Sequence, residues 1–499
     1  MVNVKNLFGM AVVATALVGC SSSDDLNPNA NEGADKTGTA YASFKINLPT
    51  TSGSRAAGDP TFEKGDKNEY AVNDATLLLF QKDVTTGDFK FKEAVDLGNM
   101  EPWTSNSTSG ITTTAKLTAK ITKAEVGANK GYYALIVLNN NGNKITYPST
   151  DQFYSVWSKD AGNATAANYL KYDNGFFMAN APKYVAGAPE TLVEIKNIYA
   201  SKQQAENSTA TTVYVERGLA KVSLASTSAK HVDITDGNYA GDKVDIEGWT
   251  LDVTNTKTYP VHVTEGLWAD TWKTTTTPAA TNGASMDRFH DTKLTEFPRV
   301  YWGLDPNYST DLASVADCEG EFTMATKANF KTGDEAKKAQ YCLENTFDID
   351  HMVQGQTTRV LFSAKYTPNG FGENETFYKM GNSSQLWNAT KVEAQIKAKA
   401  MEVLNEAEPN VTVILAAPAN NLTKAGVHLV AAANVTHVGG PALTTDDVDK
   451  INAKLGFKAA TATEAAVGLS TFESGVSYYI ARVKHFGDYL TKWEAGNDT

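Results

Sequence analysis

Seven histidines, three cysteines and 57 acidic side chains are the groups with which this 499-residue chain could bind a metal or move a proton. Their spacing fits no catalytic or metal-binding pattern. His231, His262, His290, His351, His428, His437 and His485 contain no helical i,i+4 pair and no glutamate-bearing zinc motif. His428 and His437 stand in an Ala/Val-rich stretch that reads as loop or core. Asp233, Asp236, Asp242 and Asp245 supply enough oxygens for calcium but miss the spacing of a calcium loop, so they read as a solvated acidic loop. There is no nucleophile elbow, phosphate loop or dinucleotide fingerprint. The chain is expected to be a non-enzyme that needs no cofactor and no metal.

Covalent processing is better marked. Lys5 and the apolar run from Leu7 to Val18 have the length of a signal-peptide core, too short to span a bilayer comfortably. The run ends in small residues before Cys20, the pattern of a bacterial lipoprotein signal. That pattern implies cleavage before Cys20 and lipidation of its thiol, which leaves an acyl membrane anchor. With Cys20 acylated, Cys318 and Cys342 remain, and they read either as a disulfide or as two buried thiols. As a disulfide they would close a loop worth roughly 3 kcal/mol on the chain-entropy model. The chain holds only six arginines: Arg55, Arg217, Arg288, Arg299, Arg359 and Arg482. Five lie in or beside patterned segments. Arg55 stands in Thr50 to Asp59, a Thr/Ser/Gly/Ala stretch followed by Pro60, which is backbone of the kind proteases nick. An arginine-specific protease would find one obvious bond, Arg55–Ala56.

The element just before that bond is the one a cut would release. From Tyr41 the residues alternate, with Ala42, Phe44, Ile46 and Leu48 on one face and Ser43, Lys45 and Asn47 on the other. A period of two predicts a strand with one face buried and one solvated, stopped by Pro49. Further on, Ala75 to Phe80 and Tyr132 to Leu138 read as strands buried on both faces, and Thr112 to Thr122 as a half-buried strand. Asp151 to Asp160 predicts a short helix capped by Asp151, with Phe153, Val156 and Trp157 on one face. Val213 to Leu224 changes phase, which predicts a bulge near Gly218. Trp249 to Asn255, Arg299 to Leu304, Thr357 to Tyr366 and Val476 to Phe486 are strand candidates. Two helices interrupt them: one with Val392, Ile396, Ala400 and Val403 along one face, the other with Val448, Ile451 and Leu455, capped by Thr445 and stopped by Gly456.

The expected architecture is mainly β: two β-sandwich domains with short helical insertions, at 56–230 and 231–499. They are preceded by a signal peptide (1–19), a lipidated tether (20–40) and the removable strand with its linker (41–55). A net charge of −12 without a basic run excludes nucleic acid as a partner. Trp103, Trp268 and Trp272, set among Thr and Asn, would suit either sugar stacking or loop packing.

Read together and in order, "YASFKINLP…SRAAGD", "YYALIVLNN", "VERGLAK", "RVYWGLDPNY", "YCLENTFDIDHMVQGQTTRVLFSAKY" and "YYIARVKHFGDYLTKW" resemble the Bacteroidales fimbrillins, nearest the minor-fimbrium (Mfa-type) subunits. The "SSSDD" run after Cys20 resembles the acidic export signal of surface lipoproteins in Bacteroidetes, or is a plain solvated run. The resemblance implies two transthyretin-like β-sandwiches and a palmitate-bearing precursor exported to the outer membrane. It implies a cut after Arg55 by an Arg-specific protease and loss of the strand bearing Ala42, Phe44, Ile46 and Leu48. It also implies donor-strand exchange with other fimbrial subunits, among them copies of the same chain, anchor and tip proteins, in a fibre that supports adhesion. The alternative is a non-polymerising surface lipoprotein, either an anchor or tip component or a glycan-binding outer-membrane protein. Family members continue beyond Trp493 into one more apolar strand, whereas here "EAGNDT" follows. The expectation is a chain that accepts a strand but cannot donate one, either because it is truncated or because it caps a fibre.

Overall fold

The computed structural model describes residues 38–49, 67–98, 104–105, 111–185, 188–224, 231–264, 290–291, 299–300, 303–308, 318–346, 355–415, 422, 427–461 and 463–482. Cys20, Arg55, Ala56, Trp103, Trp268, Trp272, His351 and His485 lie outside them.

The chain is mainly β. Its first half builds a nine-stranded sheet from β1 (Ala40–Pro49), β2 (Ala75–Lys82), β3 (Phe89–Asp96), β4 (Ile111–Ile121), β5 (Tyr132–Leu138), β6 (Met178–Asn180) and β7 (Thr211–Arg217), in the order β3-β2-β5-β6-β7-β1-β4. Two short strands complete it, Thr104–Ser105 beside β4 and Val193–Glu194 beside β5. The sheet folds over on itself. Phe44, Ile46, Val213 and Ile121 from one half meet Leu77, Leu79, Ile136 and Met178 from the other in one apolar cluster, which makes a sandwich.

β2 and β5 read as apolar runs because both their faces are covered. Their other face carries Leu78, Phe80, Leu135 and Val137, which pack under Trp157 of α2 (Tyr154–Ser158) and Tyr169 of α3 (Ala166–Tyr169). Asp151 does not cap α2. It sits at φ +61 and meets Lys92 at 3.1 Å, while Phe153 is the N-cap residue. Val156 faces solvent, and Trp157 together with the Tyr154 ring, edge-on to Phe80, anchors the helix.

At Gly218 the chain does not bulge within one strand; it changes sheets. β7 ends at Arg217, and β8 (Ala220–Val222) pairs with Gln340–Cys342 in a separate ladder. A side chain at Gly218 would run into the rings of Tyr169 and Phe177, so the crossing needs glycine.

The second half centres on β9 (Lys243–Asp252), β10 (Arg359–Thr367) and β11 (Val476–Arg482), paired in that order. Trp249, Leu251 and Val360 pack on one face. On the ladder itself the Asp252 carboxylate holds Arg359 at 2.7 Å, with both side chains nearly fully buried. A separate core gathers α5 (Ala389–Leu404) and α6 (Thr445–Leu455), with Val392, Ile396, Ala400 and Ile451 meeting Val411 and Leu469. Thr444, rather than Thr445, caps α6 in a reciprocal box with Asp447, and Gly456 ends it at φ +73. Among the described residues no helix is long and apolar enough to cross a membrane.

Candidate functional site

β1 lies in the middle of its sheet. It runs parallel to β7 (Phe44 opposite Thr211, Ile46 opposite Val213) and antiparallel to β4 along nearly its whole length (Ala40 opposite Ile121, Leu48 opposite Thr113). At its start, Tyr41 exchanges two 2.8 Å backbone hydrogen bonds with Tyr199. Ala42, Phe44 and Ile46 are 0% exposed and Leu48 is 3% exposed. The four side chains predicted to be buried therefore form one ladder in the sandwich core. Phe44, Ile46 and Leu48 are each worth about 1.5–3 kcal/mol against exposure. Taking the strand away would open a slot between two unpaired strand edges.

The other face of β1 is not solvated, contrary to the alternation. The helix α4 (Lys202–Asn207), inserted just before β7, lies over it. Ser43 is 4% exposed, and its hydroxyl donates to the Ala205 carbonyl at 2.7 Å while meeting Thr118 Oγ1 at 2.8 Å. Asn47 is 1% exposed and accepts from the Thr114 hydroxyl at 2.6 Å. Lys45 alone of the three reaches solvent. Its cross-strand neighbour Lys116 turns its ammonium to the Glu206 carbonyl at 2.7 Å, at the negative end of α4. The signal for this helix was legible: Ser201 before a run of good helix formers is an N-cap, and it accepts from the Gln204 amide at 3.3 Å.

β7, one wall of the slot, also carries the charges that tie the two halves of the chain together. His262 lies between Glu216 and Glu344, with Nδ1 and Nε2 each 2.6 Å from a carboxylate oxygen. Burial disfavours a charged ring here. The two carboxylates, Glu344 foremost, outweigh it and push the imidazole up to about 10. Nearby, Glu69 of α1 (Lys67–Tyr70) is buried against Arg217 and Lys221 and takes the Tyr341 hydroxyl. The Tyr169 hydroxyl donates to the Pro260 carbonyl at 2.7 Å. The "VERGLAK" and "YCLEN" segments meet here, 120 residues apart in sequence and joined by β8.

The remaining candidates do structural work. His231 is held by Asp245 and Asp233, which raise its pKa. Asp242 is turned inward, where it takes the Tyr366 hydroxyl and the Asn369 amide. His437 meets Glu406 at 3.0 Å. Cys342 is a free, buried thiol, pushed up to about 12 by burial; Cys318 opens a helical turn, Cys318–Glu321, and its side chain lies outside the described residues. Among the described residues no three His, Cys, Asp or Glu side chains converge as metal ligands would.

No protein-family model and no curated protein sequence matches this chain. Two crystal structures of proteins from Parabacteroides distasonis ATCC 8503 are similar to it. One, ascribed to cell adhesion, has a TM-score of 0.32 at 13% identity over 67% of this chain and 77% of that one. The other, a fimbrial assembly protein, has a TM-score of 0.26 at 13% identity over 71% of this chain and 97% of that one.

Proposed function

We propose that this chain is the precursor of a structural subunit of a surface fibre. It is anchored through Cys20, cut after Arg55 and assembled by replacing β1 with a strand of another subunit. The observation that carries this reading is the position of β1. β1, the first of the described strands, sits mid-sheet with its apolar ladder entirely in the core, and its covalent path to the other described strands runs through the linker that carries Arg55. A central strand that can be severed from its sheet without any other cut leaves a sheet with two open edges and an apolar floor. Strand addition by another chain satisfies both. The contact is head-to-tail, so each addition presents a new slot and the assembly does not close.

The test is N-terminal sequencing of the mature protein recovered from the cell surface. A start at Ala56 is the expected result. A start at Cys20 would overturn the subunit reading and leave a surface lipoprotein that keeps its first strand.

A further inference from the structure

We infer that the slot reads both faces of the strand it holds, and that α4 sets the register. Its intended occupant is an extended segment of another polypeptide with apolar residues at alternate positions, a small hydroxyl or methyl side chain under Ala205, and a small polar one opposite Thr114. The inference rests on the strand-replacement reading above and adds to it the chemistry of the incoming segment.

An apolar ladder cannot fix its own register completely. A slip by one residue turns the ladder out of the core and is excluded. A slip by two keeps Ala42, Phe44, Ile46 and Leu48 pointing inward, so the inner face discriminates only by side-chain size. The outer face has no such periodicity. Along β1 it runs Ser43, Lys45, Asn47: small and buried, long and exposed, small and buried. At the Ser43 position the element that imposes a small side chain is α4, and at Asn47 the partner is Thr114 of β4. Ala205 is 0% exposed, and its carbonyl accepts from both Ser43 Oγ and Ser208 Oγ at 2.7 Å. There is no room at that point for a side chain longer than serine's, and there is a fixed acceptor for its hydroxyl. A two-residue slip would bring Lys45 beneath Ala205, opposite Thr118, and bury its ammonium where the native strand presents a small hydroxyl. Lys116 already occupies the Glu206 carbonyl. Steric exclusion and the desolvation of a charged side chain both act against that register. The polar residues on the strand's outer face are therefore a recognition pattern, and α4 is the gauge that reads it.

Two experiments separate this inference from the reading beneath it. In the intact, uncut chain, exchanging the two residues (Ser43→Lys with Lys45→Ser) leaves composition and the inner ladder unchanged. It should lower the denaturant midpoint and speed amide exchange across 202–207 at least tenfold, whereas Lys45→Ser alone should match wild type. A double variant with wild-type midpoint and wild-type protection of α4 overturns the gauge, whether or not the strand is ever released. In chain nicked at Arg55, labelled peptides of the sequence AYASFKINLP should replace β1. The Ser→Ala version should enter nearly as well and the Ser→Lys version at least tenfold less. Equal entry of all three overturns selectivity at this position. If even the native peptide never enters, strand replacement itself fails, and the intact-chain result still decides the gauge.

Discussion

Replacing Phe44 by alanine separates a strand that stays from a strand that leaves. In the uncut chain Phe44 is fully buried, with Leu117 across one edge, Thr211 across the other and the β2–β5 layer beneath it. Truncation removes the ring and leaves a cavity that a packed sandwich closes only partly, a loss of about 3–5 kcal/mol. With an m-value of about 2 kcal/mol/M, a 4 kcal/mol loss moves the urea midpoint down by roughly 2 M. Lys45→Ala on the same strand, at an exposed position, should stay within about 0.5 kcal/mol of wild type. The assay is urea unfolding followed by tryptophan fluorescence, since Trp157 lies in the neighbouring core. The same pair is then compared in fibres assembled after cleavage. There Phe44 is gone, so the variant and wild-type fibres should unfold together. Fibres weakened by Phe44→Ala as much as the precursor would mean that β1 is retained, and strand replacement would be refuted.

Other outcomes follow from single groups. Arg55→Ala should keep the chain monomeric in the presence of an arginine-specific protease, as read by size-exclusion chromatography; fibres from that variant would place the cut elsewhere. Cys20→Ala should abolish palmitate labelling and surface display. The pKa of His262 is raised in the folded chain. The stability it contributes is therefore complete below about 6.5 and is lost as pH rises toward about 10, and His262→Gln should remove that part of the pH dependence of the unfolding midpoint. The Cys342 thiol, held near 12, should resist iodoacetamide at pH 8 until the protein is unfolded.

What the sequence disclosed and what it hid divide along the reach of each interaction. The inner ladder of β1, the two-faced burial of β2 and β5, and the apolar stripe of α5 are properties of consecutive residues, and periodicity reports them directly. The burial of Ser43 depends on a helix some 160 residues away and Asn47 is held by Thr114 of β4, so alternation alone assigned both to solvent. The change of phase after Arg217 was visible, but its cause was not. A bulge and a change of sheet leave the same local trace, and only the pairing of β8 with Gln340–Cys342 distinguishes them. The charged clasp was hidden for the same reason. Glu69, Glu216, His262 and Glu344 look like ordinary surface residues until four distant segments bring them together. The Asp252–Arg359 pair is likewise legible only once β9 and β10 are in register.

The pairing of β1 also fixes an order of events. Its two walls are β4 and β7, and β7 ends at Arg217, so the seat for the first residues of the fold exists only after more than two hundred have been made. Contacts of such long sequence separation form late, because the loop between them must close first. The earliest-made of the described strands is thus seated only after β7 exists, and it closes the gap like a keystone. While it waits, the β4 and β7 edges are exposed to other chains. Once seated, it covers both edges. On the strand-replacement reading proposed above, the seat that closes around β1 between β4 and β7 is the same seat that a later segment fills.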